Sequence, residues 1–421
     1  MRTVWFILLS FLLVSCEDTD KLSKEKPLTS YPWDIPQTKP ERPLSSAMER
    51  LYDNYLTPRP EDNELYSNFK FTHLEGFDYN GHNGTISRRD PSKIIFENGK
   101  YYVWYTKRDT PVPPIGAKNA EHATDTIPST DWDLSDIWYA TSDDGFTWQE
   151  QGAAIERPEK PKQGWRSVTT TDILKWQGKY YLYFQAFNEA SGKKGDHCPV
   201  SMAYSDSPNG PWTTVEGVVI ENGEPGSWDQ FSIHDPYPLV YNGKIYIYYK
   251  AAYGERPEYL LGAGLAIADN PLGPFKKHPL NPLFNSGHET TLFPFKEGMA
   301  ALITSNGNES NTIQYAPDGV NFGIASVTAL MPKAAGPFVP DAFTSNGNGR
   351  GITWGLSHFY NGGSRSKVHT MLARFDADLS LDFNEPAFKQ TRRFLPKEVY
   401  FSQGLNNELK EKRKTEALAV E

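Results

Sequence analysis

Apolar positions in this chain come in short runs broken by turn residues, without a sustained helical period. One run at Ile94, Ile95 and Phe96 stops at Asn98-Gly99, and an aromatic run from Tyr101 to Tyr105 follows it. Asn-Gly between two strand-forming runs predicts a β-hairpin, because both turn residues tolerate positive φ. The unit returns from Asp172 to Gln185, from Asp235 to Tyr249 and, more weakly, from Glu289 to Ile303. A fifth copy starts at Asp341 and includes Ile352 to Leu356.

Each copy is followed by a second segment. Ile137 to Trp148, Ser201 to Trp212, Gly264 to Phe275 and Thr312 to Phe322 all read as a strand, an acidic turn with Gly, then an aromatic; Val368 to Asp376 keeps the strand and the acid. Repeats of about fifty residues, each worth about four short strands, predict an all-β fold, a five-bladed β-propeller. A β-sandwich also yields short strands, but not two alternating hairpin types at a fixed period.

The flanks divide the remainder. Met1-Arg2, an apolar run from Val4 to Val14 and then Ser15-Cys16 describe a secretory signal too short to span a bilayer. Leu13-Val14-Ser15-Cys16 resembles a bacterial lipobox, which makes Cys16 the lipidation site and 1–16 the signal peptide. The Pro-rich stretch 17–43 reads as a tether. Residues 44–70 form an N-terminal helical segment, with Ser46 and Glu49 spaced as a capping box. The catalytic propeller is expected over 71–395, and 396–421 is a charged C-terminal tail.

Composition narrows the function. Aromatics make up 14% of the 421 residues, which suits strands and the stacking of sugar rings. A formal charge of −9 argues against a nucleic-acid partner. The expected location is therefore the cell envelope, on the periplasmic or outer-membrane face, with membrane contact through the lipid anchor only. Once Cys16 is used, Cys198 stands alone and no intrachain disulfide is available.

In a propeller the first strand of each blade lines the axis, so residues at its start crowd one funnel. Asp90, Asp172, Asp235 and Asp341 begin four copies, and His288-Glu289 begins the other. Asp172, preceded by three threonines, reads as structure or substrate contact, and Asp341 as structural, since an Asp before a strand often caps a turn. Asp90, Asp235 and Glu289 together suit glycoside hydrolysis, which needs a base on one side of the sugar and an acid on the other. Candidate sugar contacts are Trp132, Trp165, Arg166, Thr171, Gln185, His197, Trp228 and His234. No His spacing matches a metal-binding motif.

The segments R-R-D-P-S-K at Asp90, S-I-H-D-P-Y-P at Asp235 and S-G-H-E-T-T at Glu289, with S-S-A-M-E-R at Ser45 to Arg50, resemble glycoside hydrolase family 117. The resemblance implies an α-1,3-L-neoagarooligosaccharide hydrolase, an inverting exo-enzyme that releases 3,6-anhydro-L-galactose. It implies Asp90 as general base, Asp235 as the residue that orients the sugar and tunes the acid, and Glu289 or His288 as proton donor. Gly287 permits the bend that both neighbours need to face one site. The resemblance also implies a homodimer through the Ser45, Ala47 and Arg50 helix motif, and a divalent cation held near the sugar through waters, with no cofactor required. Two readings compete: a related glycosidase acting on arabinofuranosides, xylosides or carrageenan-derived anhydrosugars, and a non-catalytic glycan-binding lipoprotein.

Overall fold

The computed structural model describes residues 39–52, 63–192, 197–252, 261–307, 309–344, 347–361 and 369–389. Cys16, the signal peptide, most of the tether and the C-terminal tail lie outside these residues. Among the described residues, no helix is long and apolar enough to cross a membrane.

A short helix, α1 (Ser46–Arg50), precedes the strands. The strands are β1 (Lys70–His73), β2 (Ile86–Arg89), β3 (Ile95–Glu97), β4 (Lys100–Asp109), β5 (Ser135–Ser142), β6 (Gln149–Ile155), β7 (Ser167–Trp176), β8 (Lys179–Phe187), β9 (Val200–Ser205) and β10 (Thr213–Thr214). They continue as β11 (His234–Tyr241), β12 (Lys244–Ala252), β13 (Leu261–Ala268), β14 (Lys276–Lys277), β15 (Thr291–Lys296), β16 (Gly298–Ile303), β17 (Thr312–Ala316), β18 (Gly323–Val327), β19 (Lys333–Pro337), β20 (Gly349–Asn361) and β21 (His369–Ser380).

These strands form antiparallel meanders: β2 and β3 with β4-β5-β6, β7 to β10, β11 to β14, and an eight-stranded sheet. Within the eight-stranded sheet, the ladder that joins β15 to β18 with the group β19-β20-β21-β1 consists of Phe295↔Arg350 and Lys296↔Gly349. The early strand β1 closes the last group by pairing with β21.

The hairpins turn where the sequence pattern puts them. Asn98-Gly99, Gln177-Gly178 and Asn242-Gly243 all have positive φ at both residues, which matches the right-handed twist of the flanking strands. Side chains of adjacent meanders interlock as four apolar clusters, and Phe343 packs against three of them. Trp104, Trp148, Tyr183 and Tyr249 are among the largest fully buried side chains. Burial of each contributes about 1.5–3 kcal/mol on the scale of large apolar groups.

Helix α1 corrects one detail of the sequence reading. Ser45, not Ser46, is the N-cap, with its hydroxyl accepting from the Met48 amide. Glu49 turns outward to Lys39 and does not complete a capping box. The helix docks on its own chain: Ser45 Oγ donates to the Pro282 carbonyl at 2.8 Å, and Arg50 grips buried Glu309 through two bonds of 2.7 and 2.8 Å.

Candidate active site

One backbone conformation recurs around the centre of the molecule. Asp90 (φ 49°), Thr170 (φ 44°), Asp235 (φ 53°), Glu289 (φ 64°) and Ala334 (φ 44°) are all left-handed, and all five line one cavity. A β-branched residue such as Thr170 is seldom found in this region, which costs on the order of 1–3 kcal/mol and persists only when the surroundings enforce it. In three strands the residue sits in a bulge, at Thr169/Asp172 in β7, His234/Tyr237 in β11 and Lys333/Gly336 in β19. Each bulge holds two unpaired residues and turns the first toward the cavity.

This ring revises the predicted set of blade-start acids. Thr170 and Ala334 occupy the places expected for Asp172 and Asp341. Asp172 lies two residues further on, buried, where it binds the Lys93 ammonium and accepts the Lys93 and Ile173 amides at 2.7 and 2.8 Å. Burial raises its carboxyl, and burial likewise pushes the Lys93 ammonium down to about 8. Asp341 accepts the Arg350 amide at 2.7 Å. Asp172 is thus held by Lys93 and still lines the cavity, whereas Asp341 serves the Arg350 amide.

A second set of matching residues lies across from the ring. Thr106, Gln185, Lys250 and His358 pair with Arg89, Thr169, His234 and Lys333, the residues just before the left-handed ones. They serve the neighbouring ring residue or their own. Thr106 Oγ1 accepts the Thr170 amide at 2.7 Å, Gln185 Oε1 accepts the Asp235 amide at 3.1 Å, and Lys250 Nζ lies 3.1 Å from Asp235 Oδ2.

Asp90 is the most heavily bonded of the ring. Arg89 donates to both of its oxygens at 2.7 and 3.1 Å, Thr170 donates from its hydroxyl at 3.1 Å, and His358 Nδ1 lies 3.1 Å from Oδ1. Burial alone pushes the carboxyl up, but the Arg89 charge and the His358 hydrogen bond outweigh it and hold Asp90 far below the usual carboxylate range. Arg89 also donates to Glu289 at 3.2 Å, and His358 Nε2 faces Glu289 Oε2 at 3.6 Å. Asp90 and Glu289 thus belong to one web, with oxygens within 4.8 Å of each other. Carboxyl groups that flank a sugar and a water in an inverting enzyme stand about 6.5–9.5 Å apart, and the nearest oxygens of Asp90 and Glu289 are closer than that.

The bend at Gly287 exists, with φ 106°, and a second one follows at Glu289 itself. Together they bring His288 Nε2 to 3.9 Å from Glu289 Oε1. Asn306 approaches Nδ1 of His288 at 3.0 Å, and its amide placed as a donor leaves the ring proton on Nε2, the edge toward Glu289. Burial, and then the charges of Lys250, His234 and Arg89, push the imidazole well below its ordinary value, so it is neutral at pH 7.

The remaining candidates separate. Trp132 lies over the Arg89 guanidinium at 4.6 Å and so reaches the site. Thr171 lines the cavity, although its hydroxyl bonds the Tyr183 carbonyl. Gln185 supports Asp235 from behind, backed by Cys198 Sγ at 3.8 Å. His234 packs on Phe187 with ring centres 5.9 Å apart. His197 is exposed and is not brought to the cavity. Arg166 clamps Asp133, Trp228 stacks on Tyr249, and Trp165 lines a different cavity, so none of the three is a contact in this site. Sequence reasoning missed His358, which has no acid-proline step or turn beside it, and gave no role to Arg89 although it is part of the quoted motif.

Asp90, Glu289 and His358 also form a group with metal-ligand atom types. Arg89 is already bonded to both carboxylates, so a divalent ion ligated directly there would sit against a guanidinium. The donor set does not fit a directly bound ion, and no step is routed through one.

A solved structure, Zg3597, a family 117 glycoside hydrolase from the marine bacterium Zobellia galactanivorans, is 64% identical, covering 81% of this chain and 99% of that one, with a TM-score of 0.76. The chain belongs to glycoside hydrolase family 117. A GH43 β-xylosidase/α-arabinofuranosidase from a compost microbial metagenome is 18% identical over 72% of this chain and 94% of its own, with a TM-score of 0.45. No family model matches the chain, and no curated protein is similar to it. Asp90, Asp235 and Glu289, from the segments that carry the resemblance, line the cavity, and His288 stands beside Glu289.

Proposed function

We propose that this family 117 member is an exo-acting, inverting hydrolase that releases 3,6-anhydro-L-galactose from the non-reducing end of neoagarooligosaccharides. The observation that carries the reading is the convergence of Asp90, Asp235 and Glu289, from strand starts far apart in sequence, on one cavity. Asp90, ionised and fixed on both oxygens, takes a proton from the attacking water. Glu289 in its acid form, held by the neutral His288 ring beside it, gives its proton to the leaving oxygen and is left as the carboxylate. Asp235, held by Lys250 and by the Gln185 bond to its amide, orients the sugar and adjusts the donor.

The fold we infer is a five-bladed propeller. The two halves of the eight-stranded sheet are joined by a ladder of two residue pairs, and each contributes its own left-handed residue to the ring, Glu289 and Ala334. Two further parts of the reading rest on sequence alone: a lipid anchor at Cys16 in the cell envelope, and a homodimer built through the α1 motif. Loss of membrane association in Cys16→Ala, and light scattering of the purified domain, test them in turn.

Incubation with neoagarobiose is the deciding experiment. Release of galactose and anhydrogalactose is expected. A folded protein that releases neither, yet cleaves another member of a panel of red-algal and plant oligosaccharides, reassigns the sugar; one that binds glycans without cleaving any is a binding protein.

A further inference from the structure

A second cavity, of about 420 Å³, is lined by Glu121, Thr124, Asp125, Trp165, Asn188 and Glu189, with Arg166 in its wall. Its size is that of a ligand pocket. It is built by the long connection between β4 and β5, and connections of that length without a strand are usually functional when they are ordered.

This connection is locked. Arg166, 3% exposed, donates to both oxygens of buried Asp133 at 2.7 and 2.6 Å and to the Thr124 carbonyl at 2.6 Å. Asp133 in turn accepts the Ser129 amide at 2.7 Å, and Ser129 Oγ bonds the Ser191 carbonyl at 2.7 Å. Ala117 lies so close to Gly192 that a Cβ there would meet its carbonyl oxygen at 2.8 Å. The same lock places Trp132, the residue before Asp133, over Arg89 of the catalytic web. One rigid connection therefore serves both cavities.

We infer that this second cavity is a subsite for an uncharged sugar unit of the oligosaccharide, beyond the unit that is cleaved. The inference rests on the glycosidase reading above. Trp165 offers a ring face for the C–H face of a pyranose, and Glu121, Asp125, Asn188 and Glu189 supply acceptors for hydroxyls. Lys160 now lies over the Trp165 ring at 4.0 Å and pairs with Asp125 at 3.0 Å. That ion pair is exposed, worth about 0–1 kcal/mol, and yields to a sugar. Acidic groups outnumber basic ones in this lining, which favours a neutral unit over a sulfated or uronic one.

Titration calorimetry of Asp90→Asn with the neutral di-, tetra- and hexasaccharide, and with a sulfated hexasaccharide, tests this. Affinity is expected to rise about tenfold from the disaccharide to the hexasaccharide, equivalent to about 1.4 kcal/mol. Adding Trp165→Ala removes most of that gain, and the sulfated ligand binds more weakly than the neutral one. Equal affinity at all lengths, or a gain untouched by Trp165→Ala, overturns the subsite. Length-dependent binding through Trp165 in a protein that hydrolyses nothing leaves the subsite standing and removes the catalytic reading. Should Asp90→Asn not fold, the same titrations with cleaved products and wild-type protein give the same readout.

Discussion

His358 Nδ1 lies 3.1 Å from Asp90 Oδ1, joining residues 268 positions apart, and the other nitrogen of the same ring faces Glu289 at 3.6 Å. The imidazole is fully buried and fixes the carboxylate that the proposed mechanism uses as base. His358→Gln is therefore expected to lower kcat by about 10²-fold with little change in KM, the scale of losing a well-placed acid–base partner. Circular dichroism establishes that the variant folds. Unchanged kcat in the folded variant removes His358 from the positioning role.

Asp90→Asn removes the base and leaves the buried Arg89 guanidinium short of a countercharge. Turnover should fall by about 10²- to 10⁴-fold. Stability should fall too, since breaking one side of a buried pair costs about 3–5 kcal/mol. Because the folded-state carboxyl lies below its unfolded value, its stabilisation is present above about pH 4 and is lost as pH falls further. Denaturant titrations of wild type and variant should therefore converge in acid, and a gap that persists there contradicts the assignment.

His288 titrates in the opposite chemical sense. Burial holds the folded imidazole below its ordinary 6.5, so the unfolded chain binds more protons below that pH, and stability should drop as pH falls from about 6.5. His288→Gln should flatten this slope. The same variant and Glu289→Gln separate the donor roles: loss of the proton donor is compensated by an aryl leaving group that needs no protonation. The variant whose activity an aryl glycoside fails to restore is not the donor.

Lys93 and Asp172 lie beneath the cavity, with the Lys93 ammonium 4.0 Å from the Tyr237 ring centre. Lys93→Met should cost about 3–5 kcal/mol by leaving a buried carboxylate alone. Lys93→Met with Asp172→Leu should recover most of that loss, because the pair's desolvation cost disappears along with its attraction. A double variant no more stable than the single one shows that the pair contributes net stability.

Much of the fold was legible in the sequence because its signals are local. Positive-φ pairs such as Asn98-Gly99 and Asn242-Gly243 specify hairpins without reference to the rest of the chain, and the acid-proline steps at Asp90 and Asp235 mark two ring positions correctly. The site motif at His288-Glu289 was also visible, together with the glycine that bends it.

What the sequence by itself determined is therefore the set of strands, their turns and three acids that line the cavity. Tertiary structure decided which residues face the cavity. A bulge moves every later side chain to the other face, so Thr170 takes the place that pattern counting gave to Asp172, and Ala334 the place given to Asp341. It also decided the partners of Asp90, since Thr170 and His358 reach it only when strands distant in sequence converge on one axis.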